Sequence, residues 1–102
     1  MAYESTRTFR YPKSPEEALA DLQKGFATVG MLDRVHEPTA TVVGHCRVSR
    51  PWPMTVRLRG SVLDGHEGHS VTQINAYGSD IWESGARRAL DLVEDALERL
   101  AG

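Results

Sequence analysis

Three consecutive segments of the chain alternate between small or apolar residues and polar residues. They cover residues 39–49, 54–63 and 69–77 and read TATVVGHCRVS, MTVRLRGSVL and HSVTQINAY. Successive side chains of a strand point to opposite faces, so this alternation predicts a sheet with one buried face and one solvent-exposed face. The pattern excludes an all-helical fold and assigns each side chain to a face.

The turns between these segments predict how the strands pair. If SRPWP closes the first hairpin, Val48 lies opposite Met54, and if DGHEG closes the second, Leu63 lies opposite His69. One face of the sheet then consists of small and apolar rows: Val48/Met54/Gly78, Cys46/Val56/Ala76, Gly44/Leu58/Ile74 and Val42/Gly60/Thr72. The rows of the other face are largely polar: Arg47/Thr55/Tyr77, His45/Arg57/Asn75, Val43/Arg59/Gln73 and Thr41/Ser61/Val71. Because a slip of one residue would exchange the faces, this separation supports the register.

Two helices and two further strands complete the predicted order. The segment 3–11, YESTRTFRY, is rich in threonine and aromatic residues, as strands are. A helix starts at SPEEA, with Ser14 as N-cap and Pro15 as the first helical residue, and apolar residues at helical spacing continue it to Gly30. A short strand covers 31–36, and Ser79-Asp80 caps an amphipathic helix over 81–100.

The order β-α-β-β-β-β-α has a topological consequence. If the first helix runs back along the sheet, the first strand is antiparallel to the last and closes beside it, which gives the strand order 1-5-4-3-2. Both helices then cover the apolar face, so the predicted fold is a two-layer α+β sandwich. At 102 residues we expect one domain, 1–102, with a single core.

Composition narrows the range of functions. A formal net charge of −2 argues against a nucleic-acid partner, because such binders usually have a basic excess. Cys46 is the single cysteine, which excludes an intramolecular disulfide. We find no secretory signal and no apolar run of the ~20 residues that a bilayer span needs. We therefore expect a cytoplasmic protein with no membrane partner and no cofactor.

The stretch 63–71, LDGHEGHSV, is the part of the sequence that comes nearest to a metal motif. His66 and His69 are three residues apart in a loop, whereas the zinc motif HExxH places its histidines four apart on a helix. The other candidate ligands, His45 and Cys46, fall far along the predicted sheet. We interpret the stretch as a hairpin turn, with a metal site at His66 and His69 as the alternative.

The polar face of the sheet carries the side chains best suited to binding. They are His45, Arg47, Arg57, Arg59, Gln73, Asn75 and Tyr77, with Arg10 extending the face from the first strand. Guanidinium groups among amide and hydroxyl groups suit a carboxylate or a phosphate. Three interpretations stay open: a solvated face, the surface of a protein partner or a sheet-to-sheet homodimer, and a site for an anion or other small ligand.

Three further residues are singled out. Trp52, between two prolines, either fills the end of the core or is exposed as a binding hot spot. Cys46 points to the apolar face as a small core residue. Asp33 falls on the apolar face opposite Val42, so either the second strand has a bulge or this carboxylate lies at the sheet edge. No nucleophile and base can be paired in the sequence, so an enzyme is the least favoured interpretation.

The segments SPEEALADLQKGFATVG and DIWESGARRAL, with strands between them, resemble small uncharacterised bacterial proteins of β-α-β4-α layout. That layout is similar to one repeat of the TATA-binding-protein-like fold and, more loosely, to compact helix-grip domains. The second similarity implies an apolar ligand between helix and sheet, where Gly44, Gly60 and Ala76 either leave a cavity or admit a close-packed helix. The basic, aromatic-wedged sheet that minor-groove binding requires is missing, and function does not follow from fold.

The sequence therefore predicts a non-enzymatic binding protein of otherwise unknown function. The first hypothesis is a protein-interaction module or homodimer that uses the polar face around Arg57 and Arg59. The alternative is a domain that binds a small apolar or anionic molecule.

Overall fold

A computed structural model describes residues 3–49, 53–66, 68–78 and 84–102, and for Tyr3 and His66 it describes the backbone alone. Within these ranges the strands are β1 Tyr3–Tyr11, β2 Met31–His36, β3 Thr41–Val48, β4 Met54–His66 and β5 His69–Gly78. The helices are α1 Pro15–Val29 and α2 Ser84–Ala101, and a 3-10 turn covers Glu37–Thr39. The predicted order of strands and helices is confirmed.

The five strands form one antiparallel sheet in the order β1-β5-β4-β3-β2, as predicted. Both helices pack on one face of this sheet, where the small and apolar rows are buried. We call this side the inner face, and the opposite side, which carries the polar rows, the outer face. The fold is the predicted two-layer α+β sandwich.

The β3–β4 register is the predicted one, from Val48 opposite Met54 to Thr41 opposite Ser61. The β4–β5 register differs from the prediction by two residues. The observed rows of the outer face are His45/Arg57/Tyr77, Val43/Arg59/Asn75 and Thr41/Ser61/Gln73. Because the shift is by an even number of residues, every side chain stays on its predicted face.

The hairpin turn accounts for the shift. β4 extends to His66, which pairs with His69, so the loop is only residues 67–68 and the predicted pairing of Leu63 with His69 is wrong. Gly68 has φ 78°, the left-handed conformation that a two-residue loop requires. A bulge at Leu63 adds one residue to β4 in this hairpin.

The start of α1 follows its sequence signal. The side chain of Ser14 accepts a hydrogen bond of 3.4 Å from the backbone N–H of Glu17, and Pro15 is the first helical residue. This end of the helix packs directly on β4, because a Cβ at Gly65 would overlap the ring of Pro15. The Gly65 position therefore needs glycine for close approach and not for a turn conformation.

The predicted start of the second helix lies outside the described residues. The residues outside the described ranges include the proposed cap Ser79-Asp80 and the two tryptophans, Trp52 and Trp82. From Ser84 onward, α2 buries its predicted apolar stripe against the sheet and α1. Neither of the two described helices is long and apolar enough to cross a membrane.

The centre of the core is formed where α1 crosses the glycines of the inner face. Phe26 and Leu22 are fully buried. A Cβ at Gly60 would lie 3.1 Å from both of these side chains, and a Cβ at Gly44 would lie 3.0 Å from Phe26. Both distances are tighter than ordinary contact, so the helix is close-packed on the sheet at these two glycines and leaves no cavity between them.

A buried hydrogen-bond network joins β1, α1 and α2. The Tyr11 hydroxyl donates to Asp21 Oδ2 at 2.6 Å and to the Leu97 carbonyl at 3.1 Å, and Lys13 Nζ lies 2.8 Å from the same carboxylate oxygen. Burial raises the pKa of Tyr11, and the adjacent Asp21 raises it further, so the hydroxyl stays a donor. Burial alone would raise the pKa of Asp21, but hydrogen bonds from Lys13 and Tyr11 outweigh it, and the pKa is lowered.

Candidate functional site

In the part of the chain that the structure describes, the outer face carries five exposed arginines. They come from four strands and are Arg10, Arg34, Arg47, Arg57 and Arg59. Among the residues that the structure describes, none of the five forms an ion pair. Their charge is therefore left uncompensated at the surface, where long arginine side chains keep their heads in water.

Carboxylates concentrate on the other side of the molecule. The helices carry Glu16, Glu17, Asp21, Asp91, Glu94, Asp95 and Glu98. Arg7, which points to the inner face of β1, is held there by Asp91 at 2.6 Å and Glu94 at 2.7 Å. In the described ranges, the outer face carries its five arginines against Glu4, Asp33 and Asp64, and the helices carry their seven carboxylates against Lys24, Arg87, Arg88 and Arg99. The outer face is therefore net positive and the helices net negative, a polarity that the net charge of −2 conceals.

Among the described strand residues, the outer face carries three exposed carboxylates, Glu4, Asp33 and Asp64, and Asp33 already has a partner. The β2–β3 register shifts between Leu32 and Arg34, so Asp33 lies in a bulge of an edge strand and is exposed. Its Oδ2 accepts a hydrogen bond of 2.7 Å from Nδ1 of His45. The predicted alternatives of bulge and edge are both realised, and the placement of Asp33 on the inner face is wrong.

Two adjoining depressions lie among these side chains. The larger, of about 680 Å³, is lined by Val43, Thr55, Arg57, Leu58, Arg59, Tyr77 and Gly78. The smaller, of about 500 Å³, is lined by Arg34, His36, Thr39, Thr41, Val43 and Arg59. Val43 and Arg59 belong to both, so the two depressions form one continuous site, which we call the arginine site. Each of the two volumes lies in the range of small-molecule pockets.

The structure brings only some of the predicted site residues together. Arg57, Arg59 and Tyr77 line the arginine site. His45 is next to Arg57 across the strands, but Arg47 lies on the same face without lining either depression. Sequence alternation therefore places all seven on the correct face, and three of the seven line the arginine site.

Two predicted residues are engaged with the edge strand. The side-chain oxygen of Asn75 accepts a hydrogen bond of 2.8 Å from the Thr6 hydroxyl, and the Gln73 amide donates to Thr8 at 3.2 Å. These amides stabilise the β1–β5 pairing. Trp52 lies outside the described residues.

Arg34, His36 and Thr39 line the arginine site and were missed by sequence reasoning. Counting back from the hairpin, with Asp33 opposite Val42, places Arg34 and His36 on the outer face as observed, and the bulge changes the face only of Leu32 and Met31. The signal for Arg34 and His36 was therefore present, but the candidate residues were chosen mainly from β3, β4 and β5.

The two remaining chemical candidates do not form a site in the described chain. Among the described residues, no three His, Cys, Asp or Glu side chains are grouped to hold a metal ion. The side chain of His66 is outside that set, so the metal alternative at His66 and His69 stays a prediction. Cys46 is buried on the inner face as predicted, and burial raises the pKa of its thiol, which makes it a poor nucleophile.

Comparisons with known proteins support the fold. No protein-family model and no curated protein sequence match the chain. Among solved structures, Ara h 8.0201 is similar with a TM-score of 0.69 at 9% identity, covering 99% of this chain and 98% of that one. An uncharacterised protein from Bacillus thuringiensis is similar with a TM-score of 0.56 at 13% identity, covering 97% and 96%. A START superfamily protein from Mycobacterium smegmatis gives a TM-score of 0.44 at 10% identity, covering 96% and 91%. At such identities the first two similarities show the fold alone.

Proposed function

We propose that this protein is a non-enzymatic binding module whose arginine site engages an acidic segment of a partner protein. The observation that carries the proposal is the uncompensated positive charge around the two adjoining depressions. Guanidinium groups bind carboxylates through two parallel hydrogen bonds. Between the arginines, Val43 and Tyr77 supply apolar and aromatic contact for the bound segment. An acidic segment matches the charge of the site and can occupy both adjoining depressions.

Charge argues against the homodimer that the sequence left open. A two-fold sheet-to-sheet contact would place the same surface patch against itself, and here that patch contains five exposed arginines. Like charges facing each other across an interface cost several kcal/mol, on the order of the binding energy of a weak complex. A partner of opposite charge removes this cost and gains faster association through electrostatic steering.

A charge-reversal experiment tests the proposal. We expect the double variant Arg57→Glu/Arg59→Glu to bind a short synthetic poly-glutamate peptide at least about tenfold more weakly than the wild type in calorimetric titration. The matched control is Arg88→Glu/Arg99→Glu, which makes the same charge change at exposed positions of α2. Equal losses in both variants, or no loss at Arg57 and Arg59, would overturn the proposal.

A small organic anion is the second candidate ligand. The larger depression, of about 680 Å³, has the size of a small-molecule site and places Tyr77 beside two arginines. In the same assay a small aromatic carboxylate such as benzoate would then compete with the peptide in the wild type. No competition by benzoate, with peptide binding intact, leaves the acidic protein segment as the ligand.

A further inference from the structure

We infer that the smaller depression of the arginine site is a subsite for a phosphate monoester, carried as a phosphorylated side chain on the acidic partner segment. This inference rests on the proposed function and assigns its chemical specificity. It concerns Arg34, Arg59, His36, Thr39 and Thr41, of which only Arg59 was singled out by sequence.

The strand register places two arginines on opposite sides of one valine. Arg34 of β2 and Arg59 of β4 both pair with Val43 of the intervening β3. Neighbouring strands are about 4.8 Å apart, so the two Cα atoms are roughly 10 Å apart. Both side chains are exposed, and each is long enough to reach above Val43, where one group can meet both guanidinium ions.

Hydroxyl groups complete the wall of this depression. Nδ1 of His36 lies 2.8 Å from Oγ1 of Thr39, and the Thr39 hydroxyl donates to Oγ1 of Thr41 at 3.1 Å. Thr41 in turn lies 3.3 Å from the hydroxyl of Ser61. Ala40, between the two threonines, has φ 49°, a left-handed conformation that costs a residue with a Cβ about 1 kcal/mol. The turn therefore holds these polar groups in a fixed arrangement.

Charge and shape favour phosphate over carboxylate in this subsite. A phosphate monoester carries about −1.5 to −2 charges at neutral pH and three acceptor oxygens, whereas a carboxylate carries one charge and two oxygens in a plane. Two arginines that approach from opposite sides match the dianion in charge and can bond to different oxygens. In the described part of the chain, the lining of this depression contains no carboxylate that would oppose the anion.

Continuity with the larger depression indicates a phosphorylated side chain as the source. Arg59 and Val43 are shared, so an extended acidic segment seated along Arg57 and Tyr77 places a neighbouring side chain in the smaller depression. Free phosphorylated metabolites have the same terminal chemistry but make no use of the adjoining surface. The two sources therefore differ in how much the flanking peptide adds to affinity.

The test compares two acidic peptides that differ only by phosphoserine against serine. In the wild type we expect the phosphorylated peptide to bind about tenfold to a hundredfold more tightly. In the variant Arg34→Gln/Arg59→Gln the ratio of the two peptide affinities falls to about one. In Arg57→Gln both peptides bind more weakly and the ratio is preserved, because Arg57 does not line the smaller depression.

Each contrary result has a distinct meaning. If the wild type binds the two peptides with equal affinity, the phosphate subsite is overturned but the proposed function stands. If it binds neither peptide, both the subsite and the proposed function are overturned. Collapse of the ratio in Arg57→Gln as well would show a diffuse charge effect and overturn the subsite. Free O-phosphoserine that binds as tightly as the phosphorylated peptide would overturn the assignment to a partner side chain.

Discussion

Replacing Phe26 with alanine is expected to lower the free energy of unfolding by about 3–5 kcal/mol. Phe26 has no exposed surface and fills the space that Gly44 and Gly60 leave on the inner face. Removal of the ring leaves a void that α1 cannot close without separating from the sheet, so the variant loses both burial and packing. Denaturant titration followed by circular dichroism measures the change.

The control for this variant is Leu63→Ala, which truncates an apolar side chain that is 54% exposed in the bulge of β4. We expect a change within ~0.5 kcal/mol there. The Phe26→Ala variant should also gain an apolar cavity able to take up a small ligand such as benzene. A loss below about 1 kcal/mol would contradict the close-packed interior, and would return an enclosed ligand between helix and sheet to consideration.

The second large effect is expected at the buried network of Asp21. The variant Asp21→Asn removes the charge that Lys13 and Tyr11 approach at 2.8 and 2.6 Å, and we expect it to cost about 2–3 kcal/mol near neutral pH. Asp95→Asn, at an exposed position of α2, is the matched control and is expected to be nearly neutral.

The cost of Asp21→Asn should depend on pH in one direction. Because the folded protein lowers the pKa of Asp21, the ionised carboxylate stabilises the fold fully above the ordinary carboxyl pKa of about 4. That contribution disappears as the pH falls through the lowered value. The stability difference between wild type and variant should therefore narrow in acid, as measured by denaturant titration across the acid range. A difference that is constant or grows toward low pH would contradict this assignment.

Sequence alternation was sufficient to predict the faces of the sheet but not all of its pairings. The β3–β4 register was predicted correctly because alternation continues unbroken on both sides of the SRPWP turn. In β4–β5, glycines occur on both sides of the turn, and a longer loop at DGHEG satisfied the same preferences as the observed loop at 67–68. The bulge at Leu63 adds one residue to β4, and the hydrophobic periodicity of the sequence gives no sign of it.

The site was predicted less completely than the fold. Arg57, Arg59 and Tyr77 were found because they sit in long regular strands, whereas Arg34 and His36 lie on the short edge strand β2, whose register was left open at Asp33. Net charge was also a poor guide, since total composition does not record that arginines outnumber carboxylates on the outer face while carboxylates outnumber basic residues on the helices. That separation appears only once helices and sheet are placed as layers.

The place where the acidic peptide binds is shown directly by its titration into ¹⁵N-labelled protein, followed by NMR. We expect the shifted amides to cluster at the centre of the outer face, around Val43, Arg57 and Arg59. Amides in the middle of α1 and α2 should stay unchanged. Shifts confined to the helices, or centred on the buried residues near Phe26, would contradict an outer-face binding site.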